Sequence, residues 1–338
     1  MPDVSVAIPV LNGGRPFAGV LEALRAQTVE HELLVCDSGS SDGSRELAQA
    51  YGARILEVAP ERFVHGEVRN RLLGAATGAH VALLTQDSEP ADERWLSRLL
   101  EGFELAPDMG IVYGPYRPRP DAAEPVRIEL ERWFRSLSPD GGPQVERMAE
   151  GERSRPVREL VGRRGFFTDA NACLARNAWE RVPFRDVRYA EDRVLAIDML
   201  RAGYAKAFLP SAAVIHSHDY GTSERLRRSF DEARGLLEIY GWREPASPAR
   251  LLSHLRGELA AAHLDLVRQG IQPPRRWAEL VAVARHHAVA RTGALLGSRA
   301  DRLPESVRGW LSLEGRSGFT PLELDVAASP ATHDNPPR

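Results

Sequence analysis

Four short apolar runs, each followed by a polar turn and then a helical pattern, constrain the fold most strongly. The runs are 4–10, 33–36, 55–58 and 80–84, and they are rich in β-branched and other apolar residues. Strands that alternate with helices at this spacing indicate βαβ units and a largely parallel sheet. The sequence therefore predicts an α/β protein with a Rossmann-like, mostly parallel mixed sheet flanked by helices.

The remainder of the chain is organised differently. The stretch 115–160 is rich in Pro and Gly and predicts an insert with loops around one helix. Regular structure is expected to return at 166–174, and residues 208–215 predict a last strand. From residue 222 the apolar spacing is purely helical, and Ser247-Pro248 is typical of a helix start. We expect a catalytic domain over 1–220, a helical region over 221–320 and a disordered tail over 321–338.

Charge and hydropathy exclude several classes of protein. The 338 residues include 44 Lys and Arg against 47 Asp and Glu, a net charge of −3, which argues against nucleic acid as the main partner. No run reaches the roughly 18 apolar residues that a membrane span needs, and from the first residues we expect no secretory signal. Cys36 and Cys173 lie in apolar runs and predict buried, reduced thiols. We expect a cytoplasmic protein.

Acidic side chains follow two of the predicted strands. Asp37 and Asp42 lie in the turn after the second strand, and Asp87 follows the fourth. In open α/β sheets, ligands bind beyond the carboxyl ends of the strands. A carboxylate there can hold a ribose or a divalent cation. The alternative is helix capping, since Ser, Asp and Gly also favour helix starts.

A second acidic pair, Glu191-Asp192, precedes a helical run. Acids in a first helical turn stabilise the helix dipole, which is the structural interpretation. A carboxylate at this position can also act as a general base toward an acceptor hydroxyl. The residues themselves leave both interpretations open.

His216 and His218 follow the last predicted strand. Residues two apart in a strand point to the same face, so both imidazoles can face one site. Imidazole binds transition-metal ions well. A solvated or structural role for the two histidines is the alternative.

The order of the polar segments along the chain resembles that of glycosyltransferase family 2, whose members have the GT-A fold. The resemblance covers roughly residues 3–220. The segments that carry it are, in order, VAIPVLNGG, VCDSGSSDGS, VRNRLLGAATG, TQDSEP, TDANACLARNAW, AEDRVLAIDMLRAGY and AVIHSH.

The resemblance implies a site for a nucleotide-diphosphate sugar. By this resemblance residues 1–115 form the nucleotide-sugar half of the catalytic domain, and 116–220 form the acceptor half. The residues implied in nucleotide-sugar binding are Pro9, Asn12, Asp37, Ser38, Asp42, Arg69, Gln86 and Asp87.

The resemblance also implies an inverting reaction assisted by Mg²⁺ or Mn²⁺. Asp192 is the expected general base, and Glu191 is expected to position its loop or the acceptor. Asp87 is the expected metal ligand together with His216 or His218, with His216 slightly preferred because it directly follows the strand.

One segment departs from the family pattern. Family members carry Asp-x-Asp at the metal strand, and this chain has Thr85-Gln86-Asp87, so only the second Asp remains. This triplet and the His-Ser-His ending resemble the rhamnosyltransferases of the family. The expected donor is a dTDP- or UDP-linked sugar, with dTDP-rhamnose as the candidate, and the acceptor is a hydroxyl of a glycan, a lipid-linked glycan or a small molecule.

Several properties stay open at this point. Membrane contact is expected to be at most peripheral, at the inner face, and a homodimer is among the open assembly states. A nucleotidyltransferase is one rival, although Asn12-Gly13-Gly14-Arg15 matches a triphosphate loop only faintly. A non-catalytic sugar-nucleotide-binding scaffold is the other, supported only by the missing first Asp of the metal triplet.

Overall fold

The computed structural model describes residues 2–159, 162, 164–187 and 189–321. The described chain forms two compact units, one of 2–114 with 143–212 and one of 115–142 with 213–321. The predicted tail 321–338 lies outside the described residues, apart from residue 321. We call the two parts the sheet unit and the helical unit.

The sheet unit is built on one eight-stranded sheet with the order β3-β2-β1-β4-β9-β6-β10-β8. Its strands are β1 (Val4–Val10), β2 (Glu32–Asp37), β3 (Arg54–Glu57), β4 (His80–Leu84), β6 (Met109–Tyr113), β8 (Gln144–Glu146), β9 (Asn171–Ala175) and β10 (Ala205–Phe208). A short strand, β5 (Glu89–Pro90), follows β4 along the chain.

The sheet is mixed and mostly parallel, as the sequence predicts. β1 runs parallel to β2 and β4, β2 to β3, and β6 to β10. β9 lies antiparallel between β4 and β6, and β8 pairs antiparallel with β10. β1 and β4 have the predicted bounds, and almost all of their residues are buried.

Helices flank this sheet. They are α1 (Gly14–Arg25), α2 (Ser44–Ala50), α3 (His65–Ala75), α4 (Trp95–Glu101), α6 (Arg176–Arg181) and α7 (Glu191–Arg201). In α1 the buried residues are Phe17, Val20, Leu21 and Leu24, the spacing that places one apolar stripe against a sheet. The predicted α/β fold class is therefore confirmed.

The strand predicted over 208–215 is wrong. β10 ends at Phe208, and the next strand, β11 (Val214–Ile215), begins six residues later. Pro210 has no backbone N–H to donate to a sheet, and the Ala212 N–H instead donates to the Leu209 carbonyl in a turn. Within 166–174, where regular structure was expected to return, the strand β9 begins at Asn171.

The helical unit contains a small parallel strand pair and a set of long helices. β7 (Tyr116–Arg117) pairs with β11. The helices are α5 (Glu124–Leu137), α8 (Thr222–Tyr240), α9 (Pro248–Arg268), α10 (Arg275–Gly297) and α11 (Glu305–Leu311). As predicted, the Ser247 side chain caps α9 by accepting from the Arg250 N–H, with Pro248 in the first turn.

Two glycines allow α10 to lie directly against α8. A Cβ atom at Gly293 would stand 2.2 Å from the Leu226 carbonyl oxygen, and one at Gly297 would stand 2.1 Å from that of Phe230. Any larger residue would force the helices apart. None of the described helices combines the length and the apolar content needed to cross a bilayer. Both cysteines are buried and unpaired, as predicted.

Candidate functional site

The loops after β1 and β4 are joined by a two-way hydrogen bond in the sheet unit. The Leu11 N–H donates to Gln86 Oε1 over 2.8 Å, and Gln86 Nε2 donates to the Leu11 carbonyl over 3.2 Å. Pro9, the half-buried residue of β1 opposite Cys36, lies just before this loop. Gln86, predicted as a binding residue, thus fixes the shape of the first loop.

The same first loop is tied to the turn after β2. The Asn12 N–H donates to Ser40 Oγ over 2.9 Å, and Asn12 Oδ1 accepts from the Ser41 N–H over 2.8 Å. Asn12 has a φ of +49°, a left-handed conformation that asparagine tolerates better than most residues. The predicted residues of the first two loops therefore form one connected surface at the carboxyl ends of β1 and β2.

Asp37 ends β2 and is buried, with 4% of its surface exposed. Its carboxylate accepts from the N–H groups of Gly39 and Ser40 over 3.2–3.3 Å. Ser38 turns back to β1, where its backbone N–H and its hydroxyl both donate to the Val10 carbonyl. The carboxylate of Asp37 is thus held at the end of the strand by its own turn.

Asp42 links the second loop to the start of α1. Its carboxylate accepts from the N–H groups of Gly14 and Ser44 over 2.9 and 3.0 Å. The hydrogen bond from the Ser44 side chain, aided by those backbone donors, lowers the pKa of Asp42 below its ordinary value. This carboxylate is fully exposed and stays anionic, so it is available to a ligand at the loop surface.

Asp87 lies just beyond the end of β4. Its Oδ1 accepts from the Thr85 hydroxyl over 2.9 Å, and Thr85 Oγ1 also lies 2.6 Å from Ser88 Oγ. Thr85 thus orients Asp87 from the position where the family pattern has a first Asp. Such an oriented carboxylate can bind a divalent cation together with substrate phosphates.

Arg69 of α3 is buried, with 2% of its surface exposed. Nε donates to Asp169 Oδ2 over 2.7 Å, and Nη2 donates to the Asp169 carbonyl over 2.9 Å. Nη1 donates to the Leu84 carbonyl at the end of β4 over 2.9 Å. Each of the three nitrogens therefore has a protein acceptor, and Arg69 positions the end of β4 beneath the loop that carries Asp87.

Glu191 and Asp192 begin α7 in the same unit. Ala190, directly before them, has a φ of +56°, which is uncommon for a residue with a Cβ. Asp192 is half-buried and its Oδ1 accepts from the Arg193 N–H over 2.7 Å. Glu191 is buried, and His65 Nδ1 lies 3.8 Å from its Oε1. The backbone conformation thus sets two adjacent carboxyls at a helix start.

The environment of Glu191 favours its protonated form. Burial raises its pKa well above the ordinary value, and the nearby carboxylates of Asp169 and Asp192 raise it further. Two adjacent carboxyls whose environments differ are a common arrangement for acid–base chemistry. Sequence reasoning did not single out Asp169, which lies between Arg69 and Glu191. The only signal was its place in the TDAN segment.

The two predicted histidines follow β11 in the helical unit. The His216 N–H donates to the Arg117 carbonyl over 2.9 Å and so extends the pairing with β7. The rings of His216 and His218 lie 4.8 Å apart and are perpendicular, while Ser217 between them accepts from the Arg119 N–H. Two imidazoles at this separation can ligate one divalent cation, and their chemistry fits Mn²⁺ better than Mg²⁺.

Comparison with known proteins agrees with this geometry. The sequence model of the family described as "Glycosyl transferase family 2" matches residues 5–172. The O-antigen chain rhamnosyltransferase RfbN of Salmonella typhimurium is 30% identical over 234 residues, covering 68% of this chain and 70% of that protein. The O-antigen chain rhamnosyltransferase WbaN of Salmonella anatum is 27% identical over 237 residues, covering 68% and 71%.

A solved structure shows the same fold. The mannosyltransferase PcManGT from Pyrobaculum calidifontis, in complex with GDP-Man and Mn²⁺, superposes with a TM-score of 0.56 at 18% identity, covering 89% of this chain and 86% of that one. The chain therefore belongs to glycosyltransferase family 2 and has the GT-A fold. The predicted family is confirmed.

Proposed function

We propose that this protein is an inverting, metal-assisted glycosyltransferase that moves L-rhamnose from a dTDP-linked donor to a hydroxyl of a glycan acceptor. The observation that carries the reaction class is the joined loop surface at the ends of β1, β2 and β4, in the unit that also holds the Glu191-Asp192 pair. The proposal of rhamnose as the donor sugar is based on the two Salmonella relatives, both named as rhamnosyltransferases.

The proposed donor site uses the loops of the sheet unit. Asp37, Ser38 and Asp42 would bind the base and ribose, with Pro9 and Asn12 shaping the loop beneath them. The exposed anionic carboxylate of Asp42 can accept hydrogen bonds from hydroxyls. Arg69 acts indirectly in this proposal, because its donors hold Asp169 and the end of β4 in place.

Asp192 is the proposed general base. It removes the proton from the acceptor hydroxyl, and the oxygen then attacks the anomeric carbon in line with the departing nucleoside diphosphate. Burial and two neighbouring carboxylates raise the pKa of Glu191 and favour its protonated form, in which it can donate a hydrogen bond to an acceptor or to the Asp192 loop. Keeping one carboxyl neutral lets its neighbour carry the negative charge.

A divalent cation is the proposed cofactor. Asp87 is its proposed carboxylate ligand, with His216 and His218 as the imidazole candidates, His216 preferred. When bound, the ion stabilises the negative charge that develops on the leaving diphosphate. The mannosyltransferase of similar fold was solved with Mn²⁺, which supports this choice.

The wider setting is also a proposal. We propose that 1–220 forms the catalytic domain, with the donor half over 1–115, and that 221–320 supports the acceptor side. We place the protein in the cytoplasm, in peripheral contact with the inner face of the membrane where the acceptor is a lipid-linked glycan. Assembly as a homodimer remains to be tested.

The test is a thermal-shift screen of the full chain against dTDP, UDP and GDP, with and without Mn²⁺. A ligand that binds only the folded state raises the unfolding midpoint by mass action. We expect a Mn²⁺-dependent shift with dTDP that EDTA abolishes, and a smaller shift in Asp87→Asn. Asp186→Asn, an exposed acid of the same unit, is the matched control.

The outcomes separate the alternatives. Release of dTDP from dTDP-rhamnose only when a glycan acceptor is added supports the transferase, and release of pyrophosphate from a nucleoside triphosphate points to a nucleotidyltransferase. Binding without any turnover points to a scaffold. If EDTA leaves transfer untouched, the metal assignment is wrong.

A further inference from the structure

The helical unit contains a cavity of about 430 Å³ that the proposed reaction does not use. Side chains of α5, α8, α9 and α10, together with Trp242 from the loop after α8, form its walls. Pockets for small ligands have volumes of roughly 300–1,000 Å³. The cavity is therefore large enough for a bound molecule.

The arginines of the wall form ion pairs with glutamates. Arg225 binds Glu129 over 2.7 Å, Arg132 forms an ion pair with Glu258, and Arg291 forms one with Glu244. Each arginine of the wall thus has a glutamate partner in the same unit, and the wall itself holds three arginines and three glutamates, the latter being Glu129, Glu232 and Glu258. Such a lining offers no net charge to attract a phosphate or a carboxylate, so it favours a neutral ligand.

One buried side chain of the wall has an unused polar atom. His287 is 6% exposed, and its Nε2 has no hydrogen-bond partner within the part of the chain that the structure describes. The nearest acid, Glu258, has its Oε2 3.6 Å from that nitrogen. A buried ring nitrogen without a hydrogen bond is costly, and a hydroxyl group from a ligand would remove that cost.

Burial lowers the pKa of His287 to about 4. The ring is therefore neutral at neutral pH, and Nε2 can donate or accept according to its tautomer. Ser136 and Ser229 add hydroxyls to the same wall. These groups suit a ligand whose own groups are hydroxyls.

Two indole rings complete the wall. Trp133 of α5 keeps 41% of its surface exposed, and Trp242 is half-buried. An indole combines an apolar face with a single N–H donor. One face of a pyranose ring is lined with C–H groups and its rim with hydroxyls, so it matches an indole beside polar side chains.

We propose that this cavity is a binding site for a neutral sugar residue, separate from the proposed nucleotide-sugar site. Trp133 and Trp242 would contact the C–H face of the sugar, and His287 with the two serines would bind its hydroxyls. In a glycosyltransferase such a site would hold a non-reacting unit of the glycan acceptor. Only this last assignment rests on the proposed function.

The test uses saturation-transfer NMR and tryptophan fluorescence on the full chain. The probes are the methyl glycosides of rhamnose, mannose, galactose and glucose, with glucose 6-phosphate as an anionic comparison. We expect saturable binding of at least one methyl glycoside and weaker binding of the phosphate. Trp133→Ala should weaken binding about tenfold, as expected for loss of one aromatic contact.

Trp277→Ala is the matched control, since Trp277 is 58% exposed and does not line the cavity. Circular dichroism and the dTDP thermal shift verify that each variant is folded. Equal binding by Trp133→Ala and wild type, absence of binding for every methyl glycoside, or preference for the phosphate would overturn the sugar site. Loss of the dTDP shift with sugar binding retained would count against the proposed function alone.

Discussion

Two glutamates, one in each unit, have pKa values that are shifted in opposite directions. Glu191 begins α7 in the sheet unit, where burial raises its pKa and the carboxylates of Asp169 and Asp192 raise it further. Glu129 lies on α5 in the helical unit, where burial also acts to raise the pKa. There the hydrogen bond with His286 and the charge of Arg225 outweigh burial and lower the pKa to about 2.

The difference lies in the neighbours and not in the residue type. Glu129 has a cation at 2.7 Å and an imidazole nitrogen at 2.9 Å, so its charged form is fully compensated. For Glu191, burial and the charges of two acids outweigh the charge of Arg69, and the nearby imidazole nitrogen of His65 stands 3.8 Å away. An uncompensated acid can exchange a proton near its site, whereas a compensated acid acts as a fixed anion. Proton transfer is therefore expected at the Glu191-Asp192 pair, whereas Glu129 is expected to act as a fixed charge.

The largest expected effect tests whether the acid pair of the sheet unit is catalytic. Asp192→Asn keeps the shape of the side chain but cannot accept a proton, so we expect the transfer rate to fall by at least ~10²-fold. Initial rates of acceptor-dependent dTDP release measure this, with Asp186→Asn as the control. Full activity in folded Asp192→Asn would remove the base assignment.

A smaller effect is expected on the pH dependence of the folding stability, through Glu191. Because its folded pKa lies above the ordinary 4.5, the folded state binds more protons, and its contribution to stability is lost as pH rises through the folded pKa. Glu191→Gln removes that loss. The variant should therefore gain stability relative to wild type as pH rises from 4.5 to 8.

Urea unfolding of wild type and Glu191→Gln at both pH values measures this difference. Glu180→Gln, an exposed acid of the same unit, should show no pH-dependent difference from wild type. If Glu191→Gln instead loses stability relative to wild type as pH rises, the charge of Glu191 is compensated in the folded state and the prediction is wrong.

The smallest expected effect concerns Glu129, whose contribution to stability depends on pH in the opposite direction. The lowered pKa of Glu129 gives stability that is fully present above pH 4.5 and is lost as pH falls toward about 2. Because a third of this side chain is exposed, we expect Glu129→Gln to cost only about 1 kcal/mol at pH 7, and less at pH 3.

Urea unfolding at the two pH values is again the measurement. Glu131→Gln on the same helix is the control, since its partner Arg135 lies 3.8 Å away and both side chains are largely exposed. If Glu129→Gln and Glu131→Gln change the free energy of unfolding equally at every pH, Glu129 is not a compensated anion and the comparison of the two glutamates is wrong.

Local patterns were sufficient for two of the central strands, β1 and β4. β1 and β4 were predicted to the residue because each is an apolar run closed by polar turns. β6 was not predicted, because its five residues include Gly110, which is unfavourable in strands. The position of β9, antiparallel between β4 and β6, depends on pairing with segments about 60 to 90 residues away and has no local signal.

The sequence alone determined the fold class, the family and the acids at the strand ends, because periodicity, turn residues and segment order are local properties of the chain. The tertiary structure decided how deeply those acids are buried and in which direction their pKa values shift. It paired Asp169 with Arg69, brought the Asp169 carboxylate near enough to raise the pKa of Glu191, and placed His287 in the wall of a cavity. Burial and pKa depend on residues far apart in sequence, so only the packed chain sets them.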